Sequence, residues 1–142
     1  MVGGYLLLIC FAWLPLASSQ FLCLGCDFYE CADDMYGCPH GSFYHRAQDE
    51  CRYFENLEPK TRTETGRQIV SCMKTCLLNY AKTFVHLNPP IPDNTARQCN
   101  DLEKSGAAAR KLCIKSCELC DVDSGDIGAY VYQSLHSEFC RK

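Results

Sequence analysis

Beyond its first 20 residues the chain has no apolar run of the roughly 20 residues needed to cross a bilayer. It also lacks an excess of basic residues. The 14 Lys and Arg are outnumbered by 17 Asp and Glu, and the formal net charge is −3. That balance argues against nucleic acid or heparin as a partner, since either would call for a basic patch. No Asn stands two residues before a Ser or Thr, so there is no acceptor for N-glycosylation. Neither His-Glu-x-x-His nor Gly-x-Ser-x-Gly occurs, so neither the zinc-protease nor the nucleophile-elbow arrangement is present. Strand-type alternation is scarce, and there is no internal repeat or low-complexity tract.

What the chain does have is cysteine, 13 in 142 residues. The first, Cys10, sits in an N-terminal segment with the layout of a secretory signal: an apolar run from Tyr5 to Leu14, a break at Pro15, and small residues Ala17 and Ser19 before the cut. Cleavage after Ser19 is expected to leave residues 20–142 as one disulfide-stapled domain. That product carries Cys23, Cys26, Cys31, Cys38, Cys51, Cys72, Cys76, Cys99, Cys113, Cys117, Cys120 and Cys140. An even count in an exported chain predicts pairing in an oxidising compartment. Each bridge contributes about 2–4 kcal/mol, which compensates for a modest core. The expected location is therefore outside the cell, with no membrane span in the mature chain.

Periodicity predicts an all-α fold, a small disulfide-rich helical bundle. Residues 20–41 read as turn-like. Ser42 is a candidate cap for a helix whose Phe43, Ala47, Cys51 and Phe54 share a face, and Pro59 ends it. Residues 60–66 read as a polar connector. Arg67–Leu87 is the clearest helix, with a stripe through Ile69, Met73, Cys76, Leu77, Tyr80 and Phe84. Residues 88–92, Asn-Pro-Pro-Ile-Pro, stop it in a stiff extended link. The next helix runs from Thr95 to Cys120 with Cys99, Leu102, Leu112 and Cys113 inward. Gly106 weakens it by about 1 kcal/mol relative to Ala. After an Asp121–Asp126 loop, a last helix places Ile127, Val131, Leu135 and Phe139 four apart.

Several motifs that could do chemistry have a plainer structural reading. Cys23-x2-Cys26 and Cys117-x2-Cys120 have zinc-knuckle spacing, but in an oxidising compartment with eight more cysteines disulfides are expected. Asp121, Asp123 and Asp126 suggest the start of a calcium loop. However, Gly125 and Asp126 stand in the reverse of the required order, and Tyr132 occupies the twelfth position where Glu is needed. A capping role fits the acidic residues better. His40, His45, His86 and His136 fall in no catalytic pattern. Arg110-Lys111, a dibasic pair, lies inside a predicted helix. No catalytic, cofactor-binding or metal-ligating residue is expected, no cofactor is implied, and the chain is not expected to be an enzyme.

Cys72 and Cys76, like Cys113 and Cys117, are four apart on predicted helices. Each pair shares a face about 6 Å apart along the axis. Two rungs could therefore clamp these helices. Rungs in the same order along both helices need parallel or steeply crossed neighbours. Antiparallel neighbours give 72–117 with 76–113.

The frame from Cys23 to Cys120 resembles the stanniocalcins, secreted homodimeric glycoprotein hormones of calcium and phosphate balance. The intervals Cys26-x4-Cys31, Cys99-x13-Cys113 and Cys113-x6-Cys120 look the same, and Gly25-Cys-Asp-Phe-Tyr-Glu-Cys31 is similar to the family's opening. A helix leading to Arg67-Gln-Ile-Val-Ser-Cys72, and an Arg shortly before Cys99, resemble it as well. The chain departs in longer intervals from Cys38 to Cys51 and from Cys72 to Cys99, in lacking the sequon, in a shorter tail, and in the additional Cys76 and Cys117. The resemblance implies bridges Cys23–Cys31, Cys26–Cys51, Cys38–Cys99, Cys72–Cys113 and Cys120–Cys140, which leaves Cys76 to pair with Cys117. It implies a secreted signalling protein that acts by binding an extracellular receptor, in calcium or phosphate homeostasis. With Cys140 assigned to Cys120, any homodimer is expected to be non-covalent. The alternatives are a secreted toxin or defence protein acting on a channel or receptor, and a secreted structural or carrier protein.

Overall fold

The computed structural model describes residues 23–39 and 43–141. Residues 1–22, 40–42 and 142 lie outside the described residues, and with them the expected signal segment, His40 and the candidate cap Ser42. Among those described there are six α-helices and no strand: α1 Phe28–Tyr36, α2 Phe43–Leu57, α3 Glu64–Leu87, α4 Thr95–Ser116, α5 Ser124–Ile127 and α6 Ala129–Phe139. No described helix is long and apolar enough to cross a membrane.

Helix α1 corrects the turn-like reading of residues 20–41. Tyr29, Ala32 and Tyr36 recur at helical spacing and are all buried. The helix follows a 3-10 turn at Gly25–Asp27. It ends where Gly37 adopts a left-handed φ of 62° and returns its N–H to the Asp33 carbonyl at 2.8 Å. The dense cysteines obscured an apolar stripe that was present.

Helix α3 begins three residues earlier than its apolar stripe suggests. The Thr63 hydroxyl accepts the Gly66 N–H at 3.1 Å and donates to Asp126 Oδ1 at 2.7 Å. Arg62 and Thr63 N–H groups both donate to the Asp126 carbonyl. What reads as a polar connector is therefore a helix cap tied to the α5 segment. Asp123 caps α5 in turn, accepting from Gly125 N–H at 2.7 Å. Helix α4 stops at Ser116 rather than Cys120. Glu118 there takes a left-handed φ of 54°, which turns the chain and buries Leu119.

The core has two parts. Tyr29, Tyr44, Ala47, Cys51 and Leu102 belong to one cluster, which gathers α1 and the adjoining halves of α2 and α4. Phe54, Val70, Met73, Leu119, Leu135 and Phe139 belong to the other, which joins α2 and α3 to the C-terminal helices. Two expected inward residues face out instead: Tyr80 is 44 % exposed and Leu112 is 51 % exposed. Val70 and Ala109 are buried as well, while the rest of the expected stripes, including Met73, Leu77, Leu102 and Cys113, packs in the core. Leu112 adjoins Cys113, and only the cysteine points inward.

Candidate functional site

All twelve cysteines from Cys23 to Cys140 are bridged. Four bridges match those the resemblance implies: Cys23–Cys31, Cys26–Cys51, Cys38–Cys99 and Cys120–Cys140. The other two do not. The expected Cys72–Cys113 and Cys76–Cys117 are replaced by Cys72–Cys117 and Cys76–Cys113. The reason is geometric. The link between α3 and α4 is short, so α4 doubles back antiparallel along α3, and residue numbers must rise on one helix as they fall on the other. Both rungs then have Cα atoms 5.7 Å apart, within the usual range for a disulfide. The two-helix clamp exists, in the other order.

Two places outside this frame are candidate sites, one polar and one apolar. One lies where the two core clusters meet. The small residues Gly106 and Ala109 on α4 leave a cavity of about 30 Å³, bordered by Tyr29, Tyr44, Glu50 and Arg110. That is room for about one or two waters. Arg110 Nε lies 3.2 Å from Glu50 Oε1, an ion pair without the alignment of a hydrogen bond. The same guanidinium lies 4.4 Å from the Phe139 ring centre, so Arg110 joins α4 to both α2 and α6. Burial raises the Glu50 pKa above its ordinary value; Arg110 lowers it and Glu138 raises it again. Burial also raises the Tyr29 and Tyr44 phenols, which stay neutral.

The other place is the tip of the α3–α4 hairpin, residues 87–93. Here Leu87 is 69 % exposed and Ile91 is 54 % exposed, and Pro89, Pro90 and Pro92 are exposed beside them. Buried Gln98 holds this loop from beneath. Its Nε2 donates to the Pro89 carbonyl and its Oε1 accepts the Ile91 N–H, each at 3.0 Å. The Tyr36 hydroxyl donates to the Asn88 carbonyl. Asn94 N–H closes a turn onto the Ile91 carbonyl at 3.2 Å, with Pro92 second and Asp93 third at φ 68°. That is the pattern of a type II turn. The Cys38–Cys99 bridge lies one residue from Gln98. The Pro-rich run was legible as a stiff link. Gln98 and Tyr36 were not, because a polar residue that braces a distant loop leaves no local pattern.

The remaining candidates are scattered. Asp123 caps α5, and Asp126 ties the start of α3 to that segment. His45 and His86 are exposed, and His136 stacks on Tyr132 with ring centres 4.1 Å apart. Among the described residues no three His, Cys, Asp or Glu side chains are gathered to hold a metal ion. No protein-family model, curated protein or solved structure matches this chain.

Proposed function

We propose that the chain is a secreted signalling protein of stanniocalcin-like type, acting outside the cell by binding a receptor rather than by catalysis. The observation that carries this reading is the disulfide frame. Four of the five bridges implied by the resemblance are the ones formed, including Cys38–Cys99, which closes 61 residues of chain. Cysteines that match in spacing alone could pair in many other ways. Six bridges also suit an oxidising, extracellular setting. The fifth implied bridge, Cys72–Cys113, is not formed; Cys76 and Cys117 take its two cysteines into two rungs that join the same helices, α3 and α4.

The test applies labelled, fully oxidised protein to ion-transporting epithelial monolayers. Saturable binding, displaced by unlabelled protein and accompanied by altered calcium or phosphate flux, is the expected result. Block of an ionic current in excitable cells, with no epithelial response, would instead favour the toxin or defence reading. Absence of saturable binding on the monolayers removes the hormone reading.

A further inference from the structure

Part of the backbone at the hairpin tip has already exchanged water for partners within the chain. Three of its residues, Pro89, Pro90 and Pro92, have no N–H to desolvate. The Asn88 N–H donates to the Phe84 carbonyl at 2.9 Å, and the Ile91 N–H is held by Gln98. The carbonyls of Asn88, Pro89 and Ile91 accept from Tyr36, Gln98 and Asn94. Burying a polar backbone group costs free energy when its hydrogen bonds to water are not replaced. These groups have already replaced theirs within the chain. Prolines, the closed turn and the neighbouring Cys38–Cys99 bridge also restrict the loop, so little conformational freedom remains to be lost on binding. Yet Leu87 and Ile91 point their apolar surface at solvent.

We infer that residues 87–93 are the docking element of this protein, inserting Leu87 and Ile91 into a concave apolar slot on a protein partner. Two other occupants fit less well. Asp93 is exposed within the same turn, and its carboxylate would enter hydrocarbon at a high cost if the tip were buried in a bilayer. A protein slot can meet it with a basic group at the rim. A second copy of the chain, packed tip against tip, offers seven residues a side, whereas a standard interface uses about 20–30. A concave partner covers the sides of the tip as well as its end.

This inference rests on the proposed extracellular binding role and names the surface that performs it. The test displaces labelled wild-type protein from the same epithelial cells with unlabelled Ile91→Asp, Leu87→Ser and Leu112→Ser proteins. All three are first checked for intact bridges and helicity. Leu112, exposed to nearly the same extent as Ile91, lies near the other end of α4 and serves as the control. Leu112→Ser should compete like wild type, while Ile91→Asp and Leu87→Ser should need about tenfold more protein, as for a central contact residue. Equal competition by all three overturns the inference and leaves the binding role standing. Failure of wild type to bind saturably removes both. Binding that survives protease treatment of the cells and recurs on phosphatidylcholine–phosphatidylserine vesicles assigns the tip to lipid and overturns a protein partner. A wild-type dimer in sedimentation that Ile91→Asp dissociates assigns it to a second copy, with the same consequence.

Discussion

Glu50 is held between opposing influences. Burial favours its neutral form, Arg110 favours the charged form, and Glu138 opposes the charge again, with the balance raising the pKa. The folded state therefore binds the Glu50 proton more tightly than the unfolded chain does. Stability contributed by this group is full below the ordinary carboxylate pKa and falls as pH rises through the raised folded value. Glu50→Gln removes that titration. Urea midpoints taken from about pH 4 to about pH 7 should rise for Gln relative to wild type as pH increases, then level off. A constant difference across the range would refute a raised Glu50 pKa. Gly66 supplies a second test at this scale. A Cβ there would lie 2.5 Å from the Asp126 carbonyl oxygen, a backbone atom that two N–H groups already hold in place. Gly66→Ala should lose about 1–3 kcal/mol by overpacking, read as a lower denaturation midpoint, despite the better helix propensity of Ala. Periodicity makes Ala47, Cys51, Phe54 and Leu135 legible as core because each has an apolar neighbour three or four residues away on both sides. It misplaces Tyr80 and Leu112, because hydrophobicity alone does not say where an apolar stripe ends.

At the scale of elements, the pairing of α3 with α4 was the step that spacing could not decide. Cys72, Cys76, Cys113 and Cys117 announce two rungs in either order. The order follows from chain direction, which a link of a few residues sets as antiparallel. Cleavage of the unfolded, unreduced protein after Lys74 and Lys115 separates the cysteines of each helix. Mass spectrometry should then find Cys72 linked to Cys117 and Cys76 linked to Cys113. Linkage of Cys72 to Cys113 would restore the order implied by the resemblance and contradict the antiparallel clamp. Paired replacement, Cys76→Ala with Cys113→Ala, should lower stability by about 2–4 kcal/mol while the remaining rung preserves the helix pair. Helix α1 shows the opposite kind of difficulty. Its Tyr29, Ala32 and Tyr36 stripe is clear once Cys23, Cys26, Cys31 and Cys38 are set aside, but those cysteines make the segment read as loop. The brace beneath the hairpin tip had no readable signal, since Gln98 and Tyr36 meet it from different elements.

Across the whole molecule, the bridges divide as the core does. Cys23–Cys31, Cys26–Cys51 and Cys38–Cys99 surround the cluster of Tyr29 and Tyr44. Cys72–Cys117, Cys76–Cys113 and Cys120–Cys140 surround the cluster of Phe54 and Leu135. No bridge among these six links one set to the other, so the halves are joined by α2, α3 and α4 running through both. At the junction there is a small cavity and a partly compensated ion pair rather than a continuous apolar core. Neither cluster is large, and ordering the backbone costs about 1–2 kcal/mol per residue. The cross-links offset much of that cost by restricting the unfolded chain, and three of them close 37, 45 and 61 residues. Full reduction without denaturant should therefore abolish the cooperative melt and most of the helical circular dichroism signal, and restored oxidation should recover both. The surface ion pairs cannot substitute for the bridges, since exposed pairs such as Arg46–Glu103 contribute about 1 kcal/mol or less. If the reduced chain kept its helicity and its melting temperature, the two apolar clusters alone would hold the fold and the bridges would be secondary to it.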